Sequence, residues 1–574
     1  MYSMPIEPTR LESIKNDASD QPPRIGVLDI GTNSIRLVVA EPWESGGYRI
    51  IDDEKISTRL GQGLHQTGAL DPEAMERSAE AIGKLREIAE GHRTQELRAI
   101  ATSAVREASN GGAFVDLVHD VAYLKIEVIS GLEEARLAYE SAQHAFDLSA
   151  INAAIVDVGG GSTEIVISVK GVIEDIVSLP IGAVVLTERF KDGSPKSQGR
   201  RHEDMAEYLD RELKSALRRP PAPIDFIIGC GGTFTTLANI CLRRNLNNPL
   251  GTPPPSVRGF ELRRSELRNR LDWVRSIPLD QRTRIAGLRT DRADIIVGGL
   301  AIIERTMRRL RVKRLRVHDR GIRDGMIRRL LPDQTVGAGV VAPLSRHESA
   351  MRLAKSCRYE SNHCLHVAHL ALEIFDQTNA QDTRSRDRWA TDETRQLLEA
   401  AALLHDIGYL VNYKQHHKHS YHLVVHSELE GFTHRELEIV ANVCRYHRRS
   451  CPKSTHQQYA KLTPKDKKIV QALSGILRIA DGLDRTHTQS VTGVNLKLIG
   501  DRMLFLIECE DDPSVNLWGG ENKADQYERY FGIAVSQWEH ATPIDRSAAE
   551  AENNPPNQPA AANPESFKPK RNPQ

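Results

Sequence analysis

The sequence is poor in cysteine, and its cysteines form neither a metal-binding nor a disulfide pattern. The seven cysteines are irregularly spaced and include no Cys-x-x-Cys pair. This pattern is typical of a reducing compartment and argues against a zinc ribbon or a disulfide framework. No apolar run reaches the roughly 18 residues that a membrane-spanning helix needs. The first 24 residues carry charges and prolines without the apolar segment of a secretion signal. We therefore predict a cytoplasmic protein without a membrane partner.

Two further absences narrow the possible functions. Lys and Arg together number 77, as do Asp and Glu, so the net charge is zero and gives no information about partners. The sequence contains no Gly-x-x-x-x-Gly-Lys-[Ser/Thr] motif, which excludes a P-loop nucleotide hydrolase. The chain has 574 residues, which is too long for one hydrophobic core, so we expect three or four domains.

The order of strand-like and helix-like segments predicts domains of different classes. Between residues 24 and 332, short β-branched runs alternate with amphipathic helical stretches, which predicts an α/β fold with a mixed sheet. The following segment is predicted to be helical and holds most of the 21 histidines. The predicted divisions are a flexible N-terminal arm (1–23), domain I (24–136), domain II (137–332), a linker (332–345), an all-α domain (346–490), a small α/β domain (491–540) and a disordered tail (541–574).

One internal repeat indicates a duplicated domain. The segments LDIGTNSIRLVV (28–39) and VDVGGGSTEIVI (156–167) align without a gap, so that Asp29 matches Asp157 and Ser34 matches Ser162. Each copy is predicted to be a strand, a glycine-containing turn and a second strand. We expect each half of the duplication to present one such hairpin to a shared cleft.

The two predicted turns have the composition of a phosphate-binding site. Glycine allows the backbone to approach a ligand and to point successive N–H groups at an anion. Asp29 and Asp157, which end the first strand of each hairpin, are placed to bind a divalent cation through water. The glycine-rich turn GCGGTFTTLAN (229–239) offers a third phosphate position at a helix N-terminus. The alternative for each turn, taken alone, is an ordinary hairpin.

Further motifs identify a resemblance to a known family. The matching stretches are DIGTNSIRLVV, ATSAVREASN, SGLEEARL, DVGGGSTE, GCGGT, DRADIIVGGLAI and DRGIRDGM. In this order they resemble the exopolyphosphatase/guanosine pentaphosphate phosphatase (Ppx/GppA) family. The resemblance implies a duplicated actin-like core, of the ribonuclease H-like type found in actin and sugar kinases. It also implies a Mg²⁺- or Mn²⁺-dependent hydrolase of phosphoanhydrides and, as in longer family members, a homodimer.

The resemblance assigns roles to individual residues of the first half. Glu134 matches the family's catalytic carboxylate, which would deprotonate the attacking water, and Glu164 matches its second essential glutamate. Glu133 is expected to be an ordinary solvent-facing residue. The metal-binding candidates are Asp29, Asp157 and Glu164. The phosphate-binding candidates are Thr32, Asn33, Ser34, Arg106, Gly160, Gly161, Ser162, Gly232 and Thr233.

The histidine-rich segment resembles the HD phosphohydrolase superfamily. The resemblance implies a divalent metal or metal pair held by His and Asp side chains from several helices. The alternative is a scaffold of this fold whose histidines hold polyphosphate. The metal-ligand candidates are His363, His405, Asp406, His419, His447 and Asp481. The histidines assigned to polyphosphate holding are His366, His369, His416, His417 and His422.

Three local excesses of basic residues predict a track for a polyanion. Residues 305–329 contain eleven Lys and Arg but only two Asp, and residues 413–420 and 445–453 are also basic. Such a track would hold polyphosphate, with binding that weakens as salt rises. The alternative is a set of solvated helix faces. No nucleic-acid-binding module is recognisable, so we expect no specific nucleic acid partner.

These observations together predict an exopolyphosphatase that releases orthophosphate from the end of inorganic polyphosphate. A guanosine pentaphosphate (pppGpp) 5′-phosphohydrolase would use the same core residues and is the first alternative. An HD-domain nucleotide phosphohydrolase with a regulatory actin-like half is the second alternative. A sugar kinase would need an acceptor site that the sequence does not display. A non-enzymatic actin-like module would not need Glu134, Glu164 and Arg106 together.

Overall fold

A computed structural model describes most of the chain and divides it into two compact units. The first unit comprises residues 1–353 and 422–439, and the second comprises residues 354–421 and 440–574. The residues described are 9–10, 23–43, 47–190, 198–246, 256–331, 345–381, 389–427, 429–500, 502–509 and 512–541. Almost all residues of the predicted arm, linker and tail lie outside these ranges. Within the arm, Thr9–Arg10 pairs with a strand of the first sheet.

The first unit begins with a six-stranded mixed sheet in the order β1-β5-β2-β3-β4, with β6 paired to β5. The central strands β2 and β3 form an antiparallel hairpin, and β5 runs parallel to β2. The strands are β1 (Thr9–Arg10), β2 (Arg24–Ile30), β3 (Ile35–Pro42), β4 (Tyr48–Ile56), β5 (Thr94–Ala101) and β6 (Ile126–Val128). The helices of this part are α1 (Leu64–Thr67), α2 (Pro72–Gly91), α3 (Ser103–Glu107), α4 (Gly111–Ala122) and α5 (Gly131–Ala145).

A second six-stranded mixed sheet has the order β11-β12-β10-β7-β8-β9 and repeats the central arrangement of the first. Its strands β7 and β8 form an antiparallel hairpin, and β10 runs parallel to β7. The strands are β7 (Asn152–Val158), β8 (Thr163–Val169), β9 (Val172–Leu179), β10 (Phe226–Cys230), β11 (Glu261–Arg263) and β12 (Arg314–Val317). The helices are α6 (Ala183–Arg189), α7 (Gln198–Ala216), α8 (Gly231–Leu246), α9 (Arg264–Ser276), α10 (Leu279–Arg282), a 3₁₀ turn (Thr290–Arg292), α11 (Ile296–Arg309) and α12 (Ile322–Leu330).

The two sheets confirm the predicted α/β core. In the first hairpin Asp29 pairs with Arg36, and in the second Asp157 pairs with Glu164, so the repeat places equivalent residues at equivalent positions. Helix α5 packs on strands β7–β9 of the second sheet. The predicted division between domains I and II, at residues 136 and 137, lies inside this helix.

The rest of the described chain is mainly helical. The helices are α13 (Arg346–Ser356), α14 (Ser361–Gln381), α15 (Asp392–Leu404), a 3₁₀ turn (Ile407–Leu410), α16 (His416–Val425), α17 (His434–Arg445), α18 (Gln457–Ala460), α19 (Pro464–Leu483), α20 (Ser514–Glu521) and α21 (Asp525–Phe531). Among the described residues, none of these or the preceding helices combines the length and apolarity that a membrane crossing requires.

The second unit ends in a small sheet of order β13-β14-β15, with β13 (Val491–Ile499), β14 (Arg502–Cys509) and β15 (Ala534–Ala541). Helix α14 covers the outer edge of β13 with polar side chains one turn apart. Gln377 donates to the carbonyl oxygen of Val494 at 2.6 Å, and Gln381 donates to that of Leu496 at 2.7 Å. The glutamines replace a neighbouring strand, because they satisfy backbone groups that an edge strand leaves unpaired.

Candidate active site

A cavity of about 160 Å³ in the first unit collects most of the residues that the sequence predicted for the site. Its wall is formed by both hairpin turns, the start of α8, the first turn of α5 and the loop before α12. The predicted residues that line it are Asp29, Thr32, Asn33, Ser34, Glu134, Asp157, Gly160, Gly161, Ser162, Glu164 and Gly232.

The two hairpin turns approach each other so closely that a side chain would not fit. A Cβ on Gly161 would lie 2.4 Å from the Ser103 hydroxyl oxygen and 2.7 Å from that of Thr32. Gly231 has a φ of +84°, and a Cβ there would lie 2.4 Å from a carboxylate oxygen of Asp157. Glycine at both positions therefore allows the segments that line the cleft to pack closely together. It also leaves backbone N–H groups within reach of a ligand.

Glu134 lies in the first turn of α5, where the Ser130 side chain caps the helix by accepting from the Glu133 N–H at 3.2 Å. Its side chain is buried, and its Oε1 accepts a short hydrogen bond from Arg106. Burial raises the pKa of Glu134 to about 7; Arg106 opposes this rise, and the charges of Asp29 and Asp157 add to it. The structure thus places a carboxylate that titrates near neutral pH in the cleft.

Three of the other four cleft carboxylates also have raised pKa values, whereas the pKa of Asp319 is lowered, chiefly by the charge of Arg258 against its burial. Burial, followed by the charge of Asp29, raises the pKa of Asp157 to about 7. Burial raises the pKa of Asp29, against the opposing charges of Arg323 and Arg36. Burial and the charge of Glu134 raise the pKa of Glu164, whose Oε1 accepts from Ser178 at 3.0 Å. Carboxylates that destabilise one another in this way fit a divalent cation, whose charge would compensate their repulsion.

The cleft carboxylates do not form a closed cage. Among the described residues, the groups of three or more ligand side chains with mutually close ligand atoms all lie in the second unit. A cation in the cleft would therefore keep water and substrate oxygens among its ligands, as Mg²⁺ commonly does.

Two predicted phosphate-binding residues, Arg106 and Thr233, do not line the cavity. Arg106 contacts Glu134 and donates to the carbonyl oxygen of Ile129 at 2.9 Å, so it holds the carboxylate. Thr233 is buried, and its hydroxyl faces the carbonyl oxygen of Val158 at 3.5 Å. In this structure both residues support the wall without forming it.

Four arginines line the cleft that were not among the predicted site residues. They are Arg36, Arg292, Arg320 and Arg323. Burial, with the neighbouring charge of Arg323, lowers the pKa of Arg36 to about 10. Arg323 also pairs with Asp53 at 2.9 Å. The available signal was their place in the motifs DIGTNSIR, DRAD and DRGIRDG; Arg320 and Arg323 also lie in the predicted basic segment 305–329, without having been predicted as cleft residues.

The basic segment 305–329 does not form the continuous track that its composition predicted. Many of its arginines are paired with acidic or aromatic groups, most of them from distant parts of the chain, and Arg320 and Arg323 are the two that line the cleft. The pairs are Arg305 with Asp210, Arg314 over the Phe226 ring, Arg316 with Glu261, Arg328 with Asp324 and Glu430, and Arg329 with Glu133 and Glu140. Glu133, expected to face solvent, is thus an ion-pair partner.

A second cluster of titratable residues lies in the second unit. His363, His405 and Asp481 form one group, and Asp406, His416 and His447 form another; within each, the ligand atoms lie within 4.8 Å of one another. Asp406 faces both groups, because its Oδ2 lies 3.5 Å from His405 Nε2 and its Oδ1 lies 3.2 Å from His416 Nε2. We call these six residues the His/Asp centre.

Hydrogen bonds orient the four imidazoles of the His/Asp centre so that the same ring nitrogen, Nε2, points inward in each. Each Nδ1 faces an acceptor outside the centre: Asp484 for His363 (2.8 Å), the Ala402 carbonyl for His405 (2.7 Å), the Tyr413 carbonyl for His416 (3.2 Å) and the Cys444 carbonyl for His447 (2.7 Å). The Nε2 atoms therefore point inward, and those of His363 and His405 are buried without a hydrogen-bond partner. This arrangement fits metal ligation, in which the outward nitrogen is oriented by a hydrogen bond.

The centre differs from the predicted ligand set at one position. Among the described residues, His419 belongs to neither group, and His416, which was predicted to hold polyphosphate, lies in the second group instead. His416 and His419 lie one turn apart on α16. The Nε2 atoms of His416 and His447 lie 3.3 Å apart, a contact of two lone pairs that a shared cation would stabilise.

Comparisons with known proteins agree with the resemblance. A model of the Ppx/GppA phosphatase family matches residues 38–334, and a model of Ppx/GppA phosphatase domain III matches residues 345–514. Exopolyphosphatase 1 of Mycobacterium leprae is 29% identical over 321 residues, covering 55% of this chain and 92% of that protein. The guanosine-5′-triphosphate,3′-diphosphate pyrophosphatase of Pseudoalteromonas translucida is 26% identical over 475 residues, covering 79% of this chain and 86% of that protein.

Solved structures of related proteins align with about half of the chain. The Ppx/GppA family member of Aquifex aeolicus has 29% identity and a TM-score of 0.46, and covers 55% of this chain and 99% of its own. An exopolyphosphatase of Cytophaga hutchinsonii has 26% identity and a TM-score of 0.48, and covers 55% of this chain and 100% of its own. The match of the first family model alone, over residues 38–334, spans more than half of the 574 residues. This chain belongs to the Ppx/GppA phosphatase family.

Proposed function

We propose that this protein is an exopolyphosphatase that hydrolyses the terminal phosphoanhydride bond of inorganic polyphosphate and releases orthophosphate. The observation that carries the proposal is the position of Glu134, a buried carboxylate with a pKa of about 7 in a cleft lined by glycine-rich turns and arginines. A carboxylate with a pKa near neutral is suited to accept a proton from water. The name of the Mycobacterium leprae relative, an exopolyphosphatase, supports the same activity.

The residues of the cleft have separate roles in this proposal. Glu134 accepts a proton from the attacking water, and Arg106 holds the carboxylate in place. The N–H groups of the turns and the cleft arginines bind phosphate oxygens, because phosphoryl transfer depends on positioning and charge neutralisation. Asp29, Asp157 and Glu164 are the residues that would hold Mg²⁺ or Mn²⁺. When bound, such an ion neutralises charge on the phosphate oxygens.

The composition of the cleft favours polyphosphate over guanosine pentaphosphate. None of the described residues that line it is aromatic, so the wall offers no ring on which a guanine base could stack. We therefore expect phosphate release from long polyphosphate to have the higher kcat/KM of the two. The test is a comparison of both substrates on the full chain, and a higher kcat/KM for guanosine pentaphosphate would favour the alternative activity. Analytical ultracentrifugation would test the homodimer that the family resemblance implies.

The pH dependence of the reaction follows from the pKa of Glu134. Below a pH of about 7 the carboxylate becomes protonated and cannot accept a proton, so kcat/KM is expected to fall about tenfold per pH unit. Arg106 stabilises the charged form of Glu134, so the substitution Arg106→Met is expected to raise the pKa of Glu134. The acidic limb of the kcat/KM profile should then move to higher pH. The measurement is kcat/KM from pH 5.5 to 9 for both proteins. An acidic limb at the same pH in both would contradict the assignment.

The two kinds of arginine in segment 305–329 are expected to behave differently. Arg323 lines the cleft, so Arg323→Met should raise KM for polyphosphate about tenfold or more through loss of a charged hydrogen-bond donor. Arg316 is paired with Glu261, so Arg316→Met should leave KM within about twofold. Steady-state kinetics at two salt concentrations checks both values. Equal effects of the two substitutions would instead support a continuous basic track along segment 305–329.

A separate observation favours a second divalent metal site in the second unit. The His/Asp centre directs four imidazole Nε2 atoms and two carboxylates inward, and each imidazole is oriented from outside by its Nδ1. Because Asp406 faces both groups, we propose that these six residues would hold a pair of divalent ions. Bound ions would act as Lewis acids toward a phosphate ligand. Isothermal titration with Mn²⁺ of the metal-free chain and of its Asp406→Asn variant tests the proposal, and equal Mn²⁺ binding by both would contradict it.

A further inference from the structure

A buried carboxylate to which the proposed reaction assigns no role lies one contact away from the cleft of the first unit. Asp324 is in the first turn of α12, and its side chain is 3% exposed. Its Oδ1 accepts a hydrogen bond from the Tyr48 hydroxyl, and Nη1 of Arg320 donates to the same oxygen at 3.1 Å. Arg320 lines the cleft, so it connects Asp324 to the place where a substrate would bind.

Two groups hold the guanidinium of Arg320 along one edge. Its Nη1 donates to the Tyr48 hydroxyl oxygen at 3.0 Å as well as to Asp324, and its Cζ lies 5.1 Å from the centre of the Tyr48 ring. A guanidinium is planar and rigid, so contacts along one edge fix the direction of the whole group. Tyr48 and Asp324 together therefore determine how Arg320 is presented to a ligand in the cleft.

The other carboxylate oxygen of Asp324 is anchored separately. The buried Ser141 hydroxyl, on α5, donates to Oδ2 at 2.5 Å, and Nε of Arg328 donates to it at 3.2 Å. The next residue, Gly325, packs so closely on α5 that a Cβ there would lie 2.3 Å from the Leu137 carbonyl oxygen. Each oxygen of Asp324 thus accepts from two donors, so the carboxylate is fixed in place before a substrate binds.

Asp324 also places a negative charge close to a cleft that is proposed to bind a polyanion. Burial by itself would raise the pKa of Asp324, but the charges of Arg328 and Arg320 hold it well below its usual range, so the group is ionised. Through its charge alone, an ionised carboxylate repels phosphate oxygens. Asp324 therefore assists phosphate binding only if the orientation that it gives to Arg320 outweighs this repulsion.

We propose that Asp324 is a positioning residue for substrate binding, which acts with Tyr48 to direct Arg320 toward a phosphate group of the chain in the cleft. This inference rests on the proposed function, because it takes polyphosphate as the ligand of Arg320. Removal of the negative charge of Asp324 should weaken polyphosphate binding, the opposite of what electrostatic repulsion alone predicts. The effect should disappear when Arg320 is absent, because Asp324 acts through that guanidinium.

The test measures KM and kcat for orthophosphate release from long polyphosphate at saturating Mg²⁺, with the full chain and its variants. Asp324→Asn removes the charge and keeps the shape of the side chain. Tyr48→Phe removes only the hydroxyl and keeps the ring that lies beside Arg320. Arg320→Met removes the positioned group, and a double variant combines this change with Asp324→Asn.

Tyr139→Phe is the matched control. Tyr139 does not line the cleft, and its hydroxyl donates to the Gly171 carbonyl oxygen at 2.6 Å, so this variant also loses one tyrosine hydrogen bond. Calorimetry with inorganic tripolyphosphate, on the same variants in a Glu134→Gln background, measures binding without turnover. Circular dichroism shows whether each variant is folded.

Asp324→Asn is expected to raise KM about tenfold and Tyr48→Phe about threefold, with smaller changes in kcat. Tripolyphosphate affinity should fall by the same factors, and Tyr139→Phe should leave both quantities within about twofold. The double variant should have the KM of Arg320→Met alone, because both changes act on one guanidinium.

Any of three results would overturn this inference. The first is a lower KM in folded Asp324→Asn, and the second is an unaltered KM in Tyr48→Phe, which applies even if Asp324→Asn does not fold. The third is a double variant in which the two single effects on KM multiply, as they do for residues that act independently. If the unchanged chain releases no orthophosphate from polyphosphate, the proposed function fails instead. The tripolyphosphate affinities then decide alone whether Asp324 positions Arg320.

Discussion

Replacement of Glu134 by glutamine is expected to lower kcat for phosphate release from polyphosphate by about 10³-fold, with KM changed much less. A positioned general base contributes about 10²–10⁴-fold to a rate, and glutamine keeps the shape of the side chain but cannot accept the proton. KM should be nearly unchanged, because the phosphate oxygens are bound by the turns and the cleft arginines. The measurement is orthophosphate release from long polyphosphate under saturating Mg²⁺.

The matched control for this prediction is the preceding residue. Glu133 lies on the same turn of α5 but pairs with Arg329 instead of lining the cleft, so Glu133→Gln should retain activity within about twofold. Circular dichroism of both variants would show whether α5 still forms. If Glu134→Gln keeps full activity, or if Glu133→Gln loses as much, Glu134 is not the base.

The second large effect is expected at the His/Asp centre. Asp406→Asn should reduce Mn²⁺ affinity at both positions by at least about 100-fold, because this one carboxylate faces both groups of ligands. Calorimetric titration of the metal-free variant and of the unchanged chain, in both of which the cleft can also bind Mn²⁺, measures the number of ions lost from the centre without reference to any activity. Asparagine keeps the size of the side chain, so a loss of binding reports on the charge and not on packing.

His419→Asn is the control, because His419 lies on the same helix as His416 but belongs to neither ligand group among the described residues. It should bind Mn²⁺ like the wild type, whereas His416→Asn should lose the second ion. If His419→Asn loses an ion and His416→Asn does not, His419 is the ligand and His416 is not. If Asp406→Asn loses only one of two ions, the carboxylate does not serve both positions.

Local sequence predicted the hairpins well, because the information needed for a hairpin is contained within it. The repeated pattern of a β-branched strand, a glycine-containing turn and a second strand defines its own register, and Asp29 and Asp157 end equivalent strands in both sheets. Helix α2 is similarly local: Pro72 begins it, and Asp71 caps it by accepting from Ala74 N–H at 2.9 Å.

Charge patterns along the sequence were a poor guide to the surface. Segment 305–329 contains eleven basic residues, yet Arg305, Arg316 and Arg329 pair with acidic residues that are between 55 and 196 positions away. An ion pair depends on distance in space, and a count within a window omits every partner that folding brings from elsewhere. The same limit explains why the ion pair between Lys523 and Asp481, which lie about 40 positions apart, could not be predicted from the sequence.

The sequence by itself determined which chemical groups this protein uses: two glycine-rich turns, the carboxylates Asp29, Glu134, Asp157 and Glu164, and a set of histidines around His405 and Asp406. Only the tertiary structure decided which arginines reach the cleft, that Arg106 supports Glu134, and that His416 and not His419 faces the His/Asp centre. The physical reason is that residue type and local turns are encoded over a few positions. The direction in which a helix or loop points a side chain depends instead on the face that packing buries, and that face is chosen by contacts between distant segments.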